Sequence, residues 1–139
     1  MVEYLHQLGG VGTVGLISIY YHGNRVGFTR EVDMGVAAMA STQPPVKGGE
    51  WLPDMKIEWY RKEMRKVGVD IWFGTLGAGA YVENGRVRGI VVATPYGRGV
   101  VLAKTVIDST GNADIAAAAG AECTYTNEAE VSVQGTGLP

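Results

Sequence analysis

A strand that runs into a tight turn and then a helix constrains the second half of this sequence. Residues 100–107 are mostly apolar and rich in β-branched side chains, which predicts a buried strand. A Ser-Thr-Gly turn at 109–111 interrupts the run, and the alanine-rich residues 113–119 predict a helix. Asn112 is the expected N-cap, and Asp114 places a negative charge in the first helical turn. In open α/β sheets such a joint binds phosphate-bearing ligands, although an ordinary strand-turn-helix connection fits these residues equally well.

Glycine is concentrated near the N-terminus. Four of the seven residues over 9–15 are glycine, and the whole chain holds 21 glycines in 139 residues, about twice the usual share. This density does not suit the interior of a helix or strand, and it leaves backbone N–H groups accessible to an anion or a ring edge. Because Thr13 and Ser18 add hydroxyl groups, we favour a ligand-contacting loop over a merely flexible one. We interpret their spacing as different from the dinucleotide-binding fingerprint, and no predicted strand precedes them, so that motif is not expected here.

Aromatic, histidine and arginine side chains surround a Gly-Asn turn within residues 20–31. This mixture is typical of a substrate-side loop, in which an arginine holds a carboxylate. On residue type alone the candidates are His22, Arg25 and Arg30. The alternative is an exposed hairpin in which Arg30 pairs with Glu31 or Asp33, and a structural role for His22 is favoured over catalysis. No catalytic residue can be assigned.

The clearest helix is predicted over residues 54–68, with Asp54 as its N-cap and Gly68 at its end. Its apolar residues recur at helical spacing and form the expected buried stripe. These residues are Ile57, Tyr60, Met64 and Val67. The basic residues of its last turns suit a solvated helix face near the negative end of the helix dipole.

A three-stranded antiparallel meander is predicted after this helix. A strand over 69–76 leads to a hairpin over 81–94, in which Asn84-Gly85 supplies the two positive-φ residues of a type I′ turn. A second turn over 95–98 returns the chain into a strand that extends from 99 to 107.

The best internal boundary is the proline- and glycine-rich loop over 41–53. It separates residues 1–53, a cofactor- and substrate-side segment with a short helix over 35–40, from residues 54–139. The second part carries the long helix, the meander, the strand-turn-helix and a further strand over 123–126. The predicted fold class is therefore α/β, more strictly an α+β arrangement.

Composition argues against several classes of function. A net charge of −2 gives no electrostatic case for nucleic acid, and no apolar run is long enough to span a membrane. The single cysteine, Cys123, excludes an intrachain disulfide and is expected to be an inert buried thiol; no metal-ligand spacing occurs. The sequence lacks a recognisable signal peptide, a G-x-S-x-G motif and a P-loop, so we favour a cytoplasmic location and rank a stand-alone hydrolase or nucleotide binder low.

Three stretches together carry a family resemblance: 9–16 (GGVGTVGL), 85–92 (GRVRGIVV) and 103–114 (AKTVIDSTGNAD). They resemble the FAD-dependent oxidoreductases of the glutathione-reductase-like superfamily, and most closely the group related to fumarate reductase and succinate dehydrogenase flavoproteins. The last stretch is similar to the Ala-Thr-Gly motif of that superfamily, with Ser109 in place of the alanine. The likeness covers most of residues 8–123.

The resemblance implies an FAD/NAD(P)-binding fold and a set of FAD contacts. In such proteins the early Gly-Gly-x-Gly-Thr loop lies beside the flavin and pyrophosphate, the strand after the helix passes the adenine, and the small-residue turn lines the nucleotide. The residues at matching positions are Gly9, Gly10, Gly12 and Thr13 in the loop, Leu76, Gly77 and Ala78 in the strand, and Ser109, Thr110 and Gly111 in the turn.

This sequence departs from the family in lacking an opening strand, G-x-G-x-x-G turn, helix and acidic ribose ligand. The part that completes the flavin site near the C-terminus of the family also has no counterpart. We therefore expect an internal fragment of a larger flavoenzyme that acts on a small-molecule substrate. Alone it should be inactive, bind FAD weakly or not at all, and form homodimers through exposed sheet edges. The alternative is a non-catalytic α/β module for binding or assembly.

Overall fold

The computed structural model describes residues 1–20, 23–41 and 50–124. The chain divides into two compact units, Met1–Leu76 and Gly77–Pro139. Across the described ranges it contains three α-helices, one 3-10 turn and one three-stranded antiparallel sheet. The predicted α+β class is confirmed.

Two helices build the first unit. Helix α1 spans Phe28–Met39 and helix α2 spans Pro53–Lys66, and they pack against each other. Their shared core consists of Val32, Val36, Trp51 and Trp59. The 3-10 turn at Gly10–Gly12 precedes them, and an isolated parallel bridge joins Val2 to Trp72.

Helix α2 confirms the predicted long helix and corrects its details. Pro53 occupies the first turn, where its missing N–H costs nothing, and Leu52 rather than Asp54 is the N-cap residue. Gly68, with φ of 75°, follows the last turn as expected. The buried face is rotated from the predicted stripe, because Trp59 is buried whereas Val67 is 70% exposed. Burial of the large Trp59 indole, rather than the spacing of the smaller apolar residues, determines which face of α2 is buried.

Helix α1 is longer than the short helix predicted over 35–40. It begins at Phe28 and therefore includes the last four residues, 28–31, of the segment predicted as a loop or hairpin. Position 35 lies inside this helix and requires glycine, because a Cβ there would overlap Trp59 Nε1. Glycine disfavours helix formation, so a glycine that is needed for contact with an indole weakens the helix signal in the sequence.

Strands β1 (Leu76–Glu83), β2 (Arg86–Thr94) and β3 (Gly97–Leu102) form the sheet of the second unit, in the order β1-β2-β3. The β2–β3 register runs from Thr94 opposite Gly97 to Gly89 opposite Leu102. Asn84 and Gly85 have φ of 51° and 71°, which confirms the predicted type I′ turn.

Two strand boundaries were predicted wrongly. Residues 69–75 contribute only the bridge at Trp72, and the strand begins at Leu76. At the other end, β3 stops at Leu102, and residues 103–107 form no strand although their sequence favours one. The Ala103 N–H still donates to the Arg88 carbonyl oxygen at 2.9 Å, but residues 104–107 pair with no described strand. A segment without a neighbouring strand has no ladder of hydrogen bonds to hold it.

Helix α3 spans Asp114–Ala118, and Gly120, with φ of 89°, follows its end as predicted. Its N-cap residue is Ala113 rather than Asn112. Cys123 is half-buried rather than buried, and residues 123–124 form no strand; the rest of the strand predicted over 123–126 lies outside the described residues. None of the helices in the described ranges is long and apolar enough to cross a membrane.

Candidate functional site

The glycine-rich loop folds around Thr13. This side chain is fully buried, and its hydroxyl donates to the carbonyl oxygens of Leu8 at 2.6 Å and Gly10 at 3.2 Å. Gly9 has φ of 101°, and a Cβ there would lie 2.7 Å from Thr13 Cγ2 and 2.9 Å from Tyr60 Cε2. The loop therefore needs glycine at position 9 for its own packing.

Gly10 has a different role from Gly9. Its φ is 53°, and a Cβ there would meet no protein atom within 4 Å. The residue is exposed, as are its apolar neighbours Val11 and Leu16. The Gly10 carbonyl oxygen accepts from the Thr13 and Gly15 N–H groups, whereas the Gly10 N–H has no acceptor among the described residues. The outer surface of the loop thus presents this N–H and apolar side chains, where a ring or an anion could approach.

Residues 10–15 read GVGTVG, so Gly10, Gly12 and Gly15 match the G-x-G-x-x-G spacing of the dinucleotide-binding fingerprint. The fingerprint requires a strand before the glycines and a helix after them. The structure shows bends and a 3-10 turn, followed by residues without regular structure. The prediction that the spacing differs from the fingerprint was wrong, while the lack of a preceding strand agrees with the described residues before Gly10.

An aromatic side chain and a cation lie against Gly12. The Trp51 indole N–H donates to the Gly12 carbonyl oxygen at 2.7 Å, and the Lys56 ammonium lies 3.4 Å from the Trp51 ring centroid. A Cβ at Gly12 would lie 3.4 Å from Trp51 Cζ2 and 3.5 Å from Lys56 Nζ. The glycine lets the backbone approach both groups.

The carboxylate of Asp33 lies near Trp51 and Lys56, on the side of Tyr20 and Arg25. The Tyr20 hydroxyl donates to Asp33 Oδ1 at 2.8 Å, and Arg25 Nη2 lies 3.9 Å from Asp33 Oδ2. The Tyr20 ring centroid lies 5.2 Å from the Arg25 guanidinium carbon and 5.4 Å from Lys56 Nζ. We call the following residues the Lys56 cluster: Tyr20, Arg25, Asp33, Trp51, Lys56 and Tyr60.

Burial changes the acid–base properties of this cluster. It raises the pKa of the Tyr20 hydroxyl, to which the hydrogen bond and charge of Asp33 add. It also raises the pKa of Tyr60, again with Asp33 adding. Burial lowers the pKa of the Lys56 ammonium, and the negative charge of Asp33 opposes that shift. Both tyrosines are therefore held neutral, and the lysine is a poorly solvated cation.

The second unit brings the other predicted contacts near one another. Leu76, Gly77 and Ala78 begin β1, and a Cβ at Gly77 would lie 3.2 Å from Ile115 Cδ1 in α3. The turn at 109–111 leads into the same helix. Gly77 and the turn at 109–111 therefore both adjoin α3 within the second unit, whereas Leu76 is the last residue of the first unit. The other predicted contacts, Gly9, Gly10, Gly12 and Thr13, share a loop of the first unit.

Asp108 organises the turn at 109–111. Its Oδ1 accepts from the Thr110 N–H at 2.9 Å and the Thr110 hydroxyl at 2.8 Å, and its Oδ2 accepts from the Ala116 N–H at 2.8 Å. The Thr110 hydroxyl oxygen also accepts from the Asp114 N–H at 2.9 Å. These hydrogen bonds hold the Asp108 pKa below its usual value. The N–H groups that would attract a phosphate at this joint already bind the carboxylate of the chain itself.

The two described substrate-side candidates, Arg25 and Arg30, lie in different environments. Arg25 joins the Lys56 cluster, whereas Arg30 is exposed and Asp33 pairs with Arg25. His22 lies outside the described residues.

Four functional-site residues were not predicted from the sequence: Tyr20, Trp51, Lys56 and Asp108. Asp33 was considered only as an ion-pair partner of Arg30. Only Asp108 carried a usable signal, since an Asp-Ser-Thr sequence before a helix is typical of a capping turn. Among the described residues no three His, Cys, Asp or Glu side chains gather to hold a metal ion.

The sequence profile of one protein family matches nearly the whole chain. It is the family described as FAD dependent oxidoreductase, and the match covers residues 1–136. No curated protein and no solved structure matches the chain. Since the match extends over far more than half of its length, the chain belongs to the FAD dependent oxidoreductase family.

Proposed function

We propose that this chain supplies part of the FAD site of an oxidoreductase that acts on a small molecule, with the glycine-rich loop as its principal contact. The observation that carries the proposal is the exposed backbone at Gly10, beside the loop that Thr13, Trp51 and Tyr60 hold in place. The family match supplies the identity of the cofactor. We assign the loop, rather than Asp108, to the phosphate side because the loop lacks a competing carboxylate.

The loop suits an anionic dinucleotide with a flat, largely apolar ring. Residues 8–20 contain no acidic side chain that would repel a phosphate. The exposed Val11 and Leu16 side chains offer apolar contact, and Gly10 leaves space where any other residue would place a Cβ. The Lys56 ammonium adds positive charge on the Gly12 side of the loop.

The remaining assigned residues have narrower roles. Buried Thr13 supports the loop from within, as Gly9 and Gly12 do by admitting their neighbours. Leu76, Gly77, Ala78, Ser109, Thr110 and Gly111 form the proposed nucleotide side. Because the Thr110 and Ala116 N–H groups are occupied by Asp108, this region would contact uncharged parts of the nucleotide rather than a phosphate.

FAD, when bound, supplies the electron- or hydride-transfer chemistry. The chain's own share is to bind and orient. With FAD bound, the Gly10 N–H would donate a hydrogen bond, the apolar residues of the loop would exclude water from one side of a ring, and Lys56 would balance negative charge. Arg25, paired with Asp33, is the remaining substrate-side candidate in the described structure.

We further propose that the chain is one part of a larger FAD-binding fold of the Rossmann-like type. Residues 104–107 have a strand sequence but pair with no strand of the described residues, and Ile107 is 84% exposed. An exposed β-branched apolar residue in an unpaired extended segment is expected where a neighbouring strand would normally cover it. Since the described residues form no strand, turn and helix of the kind that holds a pyrophosphate, FAD should bind this chain weakly.

Saturation-transfer NMR with FAD tests the proposal, because it detects weak binding. The chain should transfer saturation to FAD, and the effect should saturate with FAD concentration, while gel filtration should remove the flavin. Gly10→Asn should abolish the transfer, since asparagine tolerates positive φ but fills the open face.

Gly85→Asn is the matched control. Gly85 also has positive φ and open space, but it lies in the β1–β2 turn. It should leave the FAD signal unchanged. Absence of transfer to the unmodified chain, or equal transfer to Gly10→Asn, would overturn the assignment of the loop. Stoichiometric flavin that survives gel filtration would overturn the proposal that the site is incomplete.

A further inference from the structure

We infer that the Lys56 ammonium is a receptor for an anionic oxygen group, phosphoryl or carboxylate, presented on the Gly12 side of the glycine-rich loop. This inference deepens the proposed function and rests on it only for the source of the anion, which is either the FAD phosphates or an acidic substrate. The presence of the receptor rests on contacts within the first unit.

Lys56 is a buried cation without a hydrogen-bond acceptor. Only 6% of the residue is exposed. Among the described residues no carboxylate pairs with its ammonium and no oxygen accepts a hydrogen bond from it. An ammonium has three donors, and leaving them without acceptors in a poorly solvated position is unfavourable. The Trp51 ring compensates for part of the lost hydration but accepts no conventional hydrogen bond.

The ammonium nevertheless stays accessible from one side. Within the described structure, Arg61 Nε is the only fully enclosed side-chain nitrogen or oxygen without a partner, so Lys56 Nζ retains some exposed surface. Gly12 lies beside it, and even a Cβ at that position would come within 3.5 Å of Nζ. A small oxygen group that approaches along the loop backbone can therefore reach the ammonium.

Neighbouring groups leave the positive charge of Lys56 available. Asp33 is the acidic residue of the cluster, and it already accepts from Tyr20 and pairs with Arg25. Tyr20 and Tyr60 are held neutral, because their pKa values are raised. Asp33 is thus engaged by two other groups, and the Lys56 ammonium has no carboxylate partner among the described residues.

The geometry of Trp51 provides a local probe. Its indole N–H donates to the Gly12 carbonyl oxygen while its ring contacts Lys56, so an anion at Lys56 should change the indole chemical shift. The other two indoles, of Trp59 and Trp72, serve as internal references.

The experiment titrates the ¹⁵N-labelled chain with inorganic pyrophosphate and, separately, with malonate at constant ionic strength. We expect a saturable shift of the Trp51 indole signal, assigned through Trp51→Phe, and little shift for Trp72. Lys56→Met should weaken binding roughly tenfold or more, because a charge-assisted contact is lost. Lys62→Met, at an exposed lysine on the same helix, should leave binding unchanged.

The two anions distinguish the source, and a second readout keeps the inference testable if Lys56→Met does not fold. Tighter binding of pyrophosphate identifies a phosphate receptor, and tighter binding of malonate identifies a carboxylate receptor. In the unmodified chain, the ¹³Cε resonance of Lys56 should report a higher pKa when the anion is bound. No saturable shift with either anion, or an unchanged Lys56 pKa at saturation, would overturn the inference. Because no flavin is used, that outcome leaves the FAD test at Gly10 to be decided separately.

Discussion

The two units of this chain are stabilised in different ways. The first unit buries a cluster of large side chains between helices α1 and α2, with Trp51 and Trp59 at its centre. In the described part of the second unit, the buried hydrophobic residues are only Val92 and Ile115. There the structure depends on backbone turns and on the hydrogen bonds of Asp108.

This difference separates long-range from local determinants of structure. In the first unit, contacts between residues distant in sequence decide which side chains are buried. In the second unit, short sequence signals such as Asn84-Gly85 specify turns directly. Mutations that add one methyl group to a close contact should therefore disturb the first unit more than the second.

The largest expected effect is that of Gly35→Ala. The new Cβ would overlap Trp59 Nε1 in a packed core, so we expect a loss of about 3 kcal/mol in the free energy of unfolding. Gly89→Ala would overlap the Val101 carbonyl oxygen, but β3 lies at the sheet edge and can shift, so we expect about 1 kcal/mol.

Urea denaturation followed by tryptophan fluorescence and by circular dichroism measures this comparison. All three tryptophans lie in the first unit, whereas circular dichroism reports both. Gly99→Ala is the control, since it has open space and no positive φ, and it should change stability by less than about 0.5 kcal/mol. Equal losses for Gly35→Ala and Gly89→Ala would contradict the contrast between the units.

The next effect concerns the support beneath the glycine-rich loop. Thr13→Val keeps the side-chain shape but removes the donor to the Leu8 carbonyl oxygen, so we expect a loss of about 2 kcal/mol. Thr13→Ser keeps the hydroxyl and loses one methyl group, which should cost about 1 kcal/mol. Urea denaturation ranks the two variants. If Thr13→Ser proved the more damaging, packing rather than the hydrogen bond would hold the loop.

The same contrast explains what the sequence could predict. Helix α2 and the β1–β2 hairpin follow from local pattern, and both were predicted. Helix α1 did not follow, because Gly35 serves a tertiary contact with Trp59. The strand over 103–107 was predicted from composition alone, yet a strand forms only beside another strand.

In the candidate site, too, some features follow from the local sequence and others depend on contacts between distant residues. The glycine-rich loop was visible in the sequence as a run of glycines, although the separate roles of Gly9 and Gly10 depend on what lies opposite each Cα. Lys56 could not be found, because a lysine near the start of an amphipathic helix is ordinarily solvated. Its burial depends on Trp51 and Tyr20, which reach it from separate segments.

A smaller effect is expected for Tyr20→Phe. Removing the hydrogen bond to buried Asp33 should cost about 1 kcal/mol at neutral pH. The Tyr20 pKa is raised on folding, so its contribution is fully present below the unfolded pKa near 10 and is lost as pH rises above it. The difference between the unmodified chain and Tyr20→Phe should therefore shrink above about pH 10.

Stability measured by urea denaturation at pH 7 to 11 checks this dependence. Tyr4→Phe is the control, because Tyr4 is exposed and should show no difference at any pH. Lys56 acts in the opposite direction, since its lowered pKa makes stability rise with pH, but it is common to all three chains. A pH-independent difference for Tyr20→Phe would mean that Asp33 does not distinguish the two protonation states of Tyr20.

The smallest global effect is expected at Asp108, in the second unit. Its hydrogen bonds order only the turn and helix α3, so Asp108→Asn should affect local opening rather than global unfolding. Because the Asp108 pKa is lowered, protection of the Ala116 amide should be present above about pH 4 and should decrease as pH falls through the lowered pKa. Hydrogen exchange at Ala116, corrected for the intrinsic rate, should be faster in Asp108→Asn and should lose this pH dependence.

Asp114→Asn separates the specific hydrogen bonds of Asp108 from the general effect of negative charge at the helix. Asp114 lies in the first turn of α3, but its carboxylate accepts none of the hydrogen bonds that order the turn at 109–111. If both variants accelerated exchange at Ala116 equally, charge alone would stabilise this joint, and an external phosphate could replace Asp108. If only Asp108→Asn does so, the joint is occupied by its own carboxylate. The glycine-rich loop is then the better candidate for the phosphate side of the FAD site.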